Sequence, residues 1–74
     1  MKLLAIARRH CLASRPAICL KPFVRDNYGV HYVFLWQIDH ARRRPSAKLL
    51  AAIAATHTRL FPAEPIPFPE ANPN

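Results

Sequence analysis

Apolar positions recur at helical spacing along most of the chain and lose that order after Phe61. Leu3, Ile6, Ala7 and Cys11 fall on one side of a first helix predicted over 3–13, with Lys2, Arg9 and Ala13 elsewhere. Ser14-Arg15-Pro16 interrupts it, because proline disfavours helical geometry at the residue before it. A second short helix is predicted over 18–28, with Pro22 tolerable only in its first turn. Val24 and Tyr28 form its inward pair at i, i+4. Gly29, the one glycine, closes it, since glycine takes a left-handed cap without steric cost.

The stretch from His31 to His40 is ambiguous by periodicity. Tyr32-Val33-Phe34-Leu35-Trp36 is β-branched and aromatic, so propensity alone favours a strand. Context favours a helix, with Leu35 and Ile38 on one face and Tyr32, Val33 and Gln37 on others. Arg42-Arg43-Arg44-Pro45-Ser46 then reads as a polar turn ending in a helix start, with Ser46 able to accept from a backbone N–H of the next helix. That last helix is the plainest element. Leu49, Leu50, Ile53, Ala54, His57, Leu60 and Phe61 make one apolar stripe, alanines at 51, 52 and 55 favour helix, and Pro62 stops it. Residues 62–69 read as polyproline-like and extended, with Ile66 and Phe68 as apolar teeth, either a tail or an arm laid on a partner. The expected organisation is a domain over 1–61 followed by a Pro-rich tail over 62–74.

Composition narrows the classes. Seventy-four residues, 51% of them hydrophobic, suit one folded domain. A chain this short buries only about 60% of its unfolded surface, so pairing with a second copy or docking on something larger would relieve its thin core. The net charge is +7, and all eleven Lys and Arg lie between Lys2 and Arg59 with only Asp26 and Asp39 among them. A surface of that sign attracts nucleic acid first, anionic membrane second and an acidic protein third. No apolar run approaches the ~20 residues that span a bilayer. Residues 1–25 carry six bases and no acid, which is also how organelle transit segments look.

Catalysis finds no support in the residue pattern. Asp26, Asp39, Glu64 and Glu70 make no spaced acid pair, Ser14 and Ser46 sit in no nucleophile motif, and one glycine cannot build a phosphate loop. Cys11 and Cys19 fit no zinc spacing and read as buried thiols, with a disulfide between helices as the alternative. No cofactor, metal or small-molecule substrate is expected. His10, His31 and His40 read as surface or helix-face residues, and His57, on the apolar stripe, as a hydrogen-bonded core residue. Phe34 and Trp36 read as core or dimer contacts rather than base-stacking groups.

From Gly29 to about Ala55 the chain resembles the phage-repressor and Cro-type helix-turn-helix family. The residues that carry the likeness are Gly29-Val30, Ile38-Asp39-His40-Ala41, Arg44-Pro45-Ser46 and Leu49-Leu50-Ala51-Ala52-Ile53-Ala54. Asp39 stands where the family usually has glutamate, Ala41 where it has glycine, and Val24-Arg25 where it has a Leu-Ala pair. The resemblance implies an all-α, four- to five-helix lambda-repressor-like domain and a sequence-specific regulator that binds double-stranded DNA as a homodimer. Its recognition helix, about 31–40, would enter the major groove. Tyr32, Val33 and Gln37 match base-reading positions, Gln37 suiting adenine and Val33 a thymine methyl, at ~1–3 kcal/mol of discrimination for a good pair. Arg42, Arg43, Arg44 and Lys48 would meet phosphates or the adjacent minor groove. Such a phage- or plasmid-type regulator is expected in the cytoplasm, bacterial or phage-encoded. The alternative is a small basic accessory subunit of a larger protein or ribonucleoprotein assembly, possible in a mitochondrion.

Overall fold

The computed structural model describes residues 2–14 and 19–67, and among them the chain forms four helices and no strand. These are α1 (Leu3–Ser14), α2 (Leu20–Tyr28), α3 (Tyr32–Asp39) and α4 (Ala47–Leu60). The fold is therefore all-helical, and the strand favoured by propensity over 32–36 does not form. The expected starts of the break at Arg15-Pro16 and of the second helix at Ile18, and the apolar tooth Phe68, lie outside the described residues.

Helix α1 is the centre of the bundle. It packs against each of the other three, α2 packs against all of its neighbours, and the backbones of α3 and α4 do not approach one another. Leu3, Ala7 and Cys11 of α1 meet Phe23, Val24 and Tyr28 of α2, Leu35 of α3 and Leu49 and Ile53 of α4 in one buried cluster. Leaving water is what holds these side chains together, at ~25 cal/mol for each Å² of apolar surface removed. No described helix is long and apolar enough to cross a membrane.

The helix ends carry their own chemistry. Both carboxylate oxygens of Asp39, the last residue of α3, accept from the start of α1, from Leu3 N–H at 2.7 Å and Leu4 N–H at 2.9 Å. Two of the N–H groups that a helix leaves without an internal partner are thus satisfied, and the anion complements the positive end of the α1 dipole. Ser46 caps α4 as expected, its hydroxyl accepting from Leu49 N–H at 3.0 Å. Arg59 of α4 donates to Asn27 Oδ1 of α2 at 3.1 Å, tying the two helices at the surface.

Several expectations are corrected. His10 is fully buried rather than on a surface face. Its position three residues after Ala7 puts it on the α1 stripe, where Tyr28 and His57 satisfy its ring. His57 is buried as expected, but only one of its ring nitrogens is hydrogen-bonded. Cys11 is buried while Cys19 is exposed, because Cys19 is the N-cap residue of α2, and no disulfide joins them. Trp36 is 39% exposed and is not a core residue. The segment after α4 is not extended throughout: Glu64 N–H bonds back to Phe61 O at 3.0 Å, and Ile66 packs on this chain's own core.

Candidate nucleic-acid interface

Three residues separate α2 from α3, and the backbone reverses there because Gly29 takes a left-handed conformation, φ 77°, with its N–H on Arg25 O at 3.1 Å. His31 then caps α3, its side chain accepting from Val33 N–H. A helix, a three-residue glycine turn and a second helix packed on the first therefore follow one another.

Helix α3 stops by a device that bears on the resemblance. Ala41 lies in the left-handed region at φ 59°, Ala41 N–H bonds Ile38 O at 3.0 Å, and Arg42 N–H reaches back to Gln37 O at 2.7 Å. This pair of bonds is a Schellman stop, which favours glycine at the left-handed position. Ala41 is the position at which the resemblance expects glycine, and its φ is one that glycine adopts more readily than alanine.

Burial divides α3 into two faces. Leu35 is fully buried, and Tyr32 and Ile38 pack partly against the core. On the other side, at the i, i+3, i+4, i+7 spacing of one helical face, lie Val33, Trp36 and His40, exposed, and Gln37, half-buried. Val33 and Trp36 are among the most exposed large apolar side chains described. The His40 ring stacks on Trp36 with centroids 4.1 Å apart and 20° between planes, and His40 Nδ1 lies 2.9 Å from Trp36 O.

The arginines that follow fold back over this surface. Arg42 places its guanidinium 5.8 Å from the Trp36 ring centroid. Arg43 lies 4.4 Å over Phe34 and donates from Nε to Gln37 Oε1 at 2.9 Å. Cation–ring contacts of this kind are worth ~0.5–1 kcal/mol at exposed sites, enough to bias an arginine's rotamers. Arg44 and Arg43, with Val30, Phe34, Ile38, Ser46 and Leu49, line a cavity of about 150 Å³ where α3 and the start of α4 diverge.

Of the seven residues the sequence singled out, Gln37 and Arg43 are the pair joined to one another by a hydrogen bond among the described residues. Val33 is exposed and Gln37 half-buried on the same side of α3. Arg42, Arg43 and Arg44 flank them, exposed. Tyr32 is turned partly inward, its ring covered by Lys21 Nζ at 5.0 Å, so it stands at the edge of the surface. Lys48 is exposed in the first turn of α4 and hydrogen-bonds none of the other six among the described residues. Sequence reasoning missed Trp36, His40 and Lys21. The spacing of Val33, Trp36, Gln37 and His40 was the signal that would have found the first two. No group of three or more His, Cys, Asp or Glu able to hold a metal ion occurs among the described residues.

No family model matches the chain, and no curated protein or solved structure matches it.

Proposed function

We propose that this chain is a sequence-specific regulator that binds double-stranded DNA through α3, with two copies meeting two half-sites. The observation that carries the reading is the outward face of α3, joined to α2 by a left-handed glycine turn and ringed by Arg42, Arg43 and Arg44 in a chain of charge +7. Positive charge supplies the phosphate attraction common to all sequences, and the α3 face supplies contacts to base edges.

The roles follow from the geometry. Val33 and Trp36 offer apolar contact to thymine methyls, and Gln37 offers an amide to adenine once Arg43 turns to the backbone. Arg42, Arg44 and Lys48 serve phosphates, and Lys21 lies on the helix that crosses the backbone in this docking mode. The bacterial or phage setting belongs to the same proposal.

The test is binding of the purified chain to its own upstream region and to random duplex at two salt concentrations. Tight binding to the upstream region that survives competitor DNA supports the reading. Equal and steeply salt-sensitive binding to both would leave a merely basic surface and favour the accessory-subunit alternative. With the preferred duplex, Gln37→Ala is expected to relax preference at one base pair. Arg43→Ala is expected to weaken all sequences alike and flatten the salt slope by about one.

A further inference from the structure

One polar cluster takes no part in the α3 surface. His10 of α1 and His57 of α4 are both buried, with His10 Nε2 3.0 Å from His57 Nδ1 and His10 Nδ1 2.7 Å from the Tyr28 hydroxyl. The row continues outward. His57 Nε2 is buried without a hydrogen bond and lies 3.8 Å from Glu64 Oε2, and Glu64 is gripped by both Nη nitrogens of Arg9. Glu64 belongs to a strap, residues 61–67, laid over the pair. The Phe61 ring lies 5.2 Å from His57 and 6.0 Å from His10, with the Arg9 guanidinium 4.2 Å above it.

Hydrogen counting assigns the protons. Only one fits between His10 Nε2 and His57 Nδ1, since a neutral imidazole has one N–H and one acceptor. If Tyr28 donates to His10 Nδ1, His10 donates from Nε2 to His57 Nδ1, and the His57 Nε2–H points toward the Glu64 carboxylate. The opposite tautomers aim a lone pair at that carboxylate, so the first arrangement is favoured. A single added proton is also accommodated, as a His57 imidazolium between the His10 lone pair and Glu64. Two are not, because both facing nitrogens would then carry hydrogens at a 3.0 Å separation.

The surroundings do not offset a second charge. Arg9 of α1 and Arg59 of α4 face the pair, and burial, His57 and these arginines together hold His10 down to about 4. Burial pushes the Tyr28 hydroxyl and the Cys11 thiol up, so neither supplies an anion. Among the described residues Glu64 is the carboxylate beside the pair, drawn down chiefly by its Arg9 hydrogen bond. The strap is also the weakest element over the pair. It carries prolines at 62, 65 and 67, which cannot donate backbone hydrogen bonds, and it is held by Phe61, Glu64 and Ile66.

We propose that His10 and His57 form an acid-sensitive latch for the strap, closed while at most one ring is cationic and released when both are, with the four helices still folded. Release lets water reach both rings at the cost of the packing of three side chains, Phe61, Glu64 and Ile66, whereas separating α1 from α4 would open the core.

The experiment follows the amide exchange of Glu64, whose N–H bonds Phe61 O, in the full chain by NMR from pH 7 to pH 3, with far-ultraviolet circular dichroism in parallel. The latch predicts that Glu64 loses its protection by about tenfold or more near pH 4 while the helical signal persists. His10→Gln, which keeps a hydrogen-bonding group but no second charge, is expected to hold the strap closed at that pH. Should that variant not fold, His57→Gln tests the same point. The proposal is overturned if strap and helix amides lose protection together, or if the strap stays protected to pH 3. It is also overturned if the glutamine variant releases at the wild-type midpoint, which would make Glu64 protonation sufficient.

Discussion

Asp39 shows how much one side chain does here. It ends α3 and closes the first turn of α1, 36 residues earlier, so it fixes the candidate reading helix against the central helix of the bundle. Asp39→Ala is expected to cost ~1 kcal/mol, in line with loss of a helix cap, and more if the freed N–H groups stay buried. Asp39→Asn should retain part of it. Urea unfolding of the three proteins measures the difference. The sequence marked Asp39 only as a departure from a pattern, because a cap reaching across the fold leaves no local trace. His10 was legible in principle, standing on the Leu3–Ala7 stripe, but a polar residue type argues for surface until its partners Tyr28 and His57 are known.

At the scale of elements, the left-handed residues divide the work of ending helices. Gly29 takes φ 77° freely, with nothing within 4 Å of where a Cβ would stand, whereas Ala41 holds φ 59° against its own side chain. A left-handed non-glycine residue costs ~1–2 kcal/mol, and a glycine costs some of that back through its looser unfolded chain. Ala41→Gly is therefore expected to stabilise the protein by about 0.5–1 kcal/mol, read as a rise in the urea midpoint at constant slope. Helix positions were largely legible from period and caps: Ser46 and Pro62 bracket α4, and Gly29 closes α2. For α3 the turn and the following cap outweighed a run of β-branched and aromatic residues. Its faces were only partly legible. Leu35 and Ile38 point inward as their spacing implied, but composition could not show that Trp36 rather than Tyr32 would be turned outward, since that depends on how α1 and α2 cover the helix.

For the molecule as a whole, charge sets two dependences. One is on pH. His10 is held near 4 when folded against about 6.5 in an unfolded chain, so the unfolded state binds the extra proton first. Its contribution to stability is complete above about pH 6.5 and is lost as pH falls toward 4, at up to about 1.4 kcal/mol per pH unit. Below that it changes no further. Urea midpoints taken from pH 7 to pH 4 should show this slope, and His10→Gln should flatten it. The other dependence, on salt, is expected of the proposed duplex binding, because Arg42, Arg43, Arg44 and Lys48 are exposed rather than in the core.

The measurement that bears most directly on the central claim is a map of backbone amide shifts when the labelled chain meets a duplex selected from a random library. Duplex binding through α3 predicts shifts concentrated at Val33, Trp36, Gln37 and His40 and in residues 42–44, with Lys21 and Lys48 at the margin. Failure of the selection to enrich any sequence would contradict it. Shifts centred instead on the apolar surface around Leu12, which is 68% exposed beside Arg8 and Leu20, would also contradict it and would place the binding surface elsewhere.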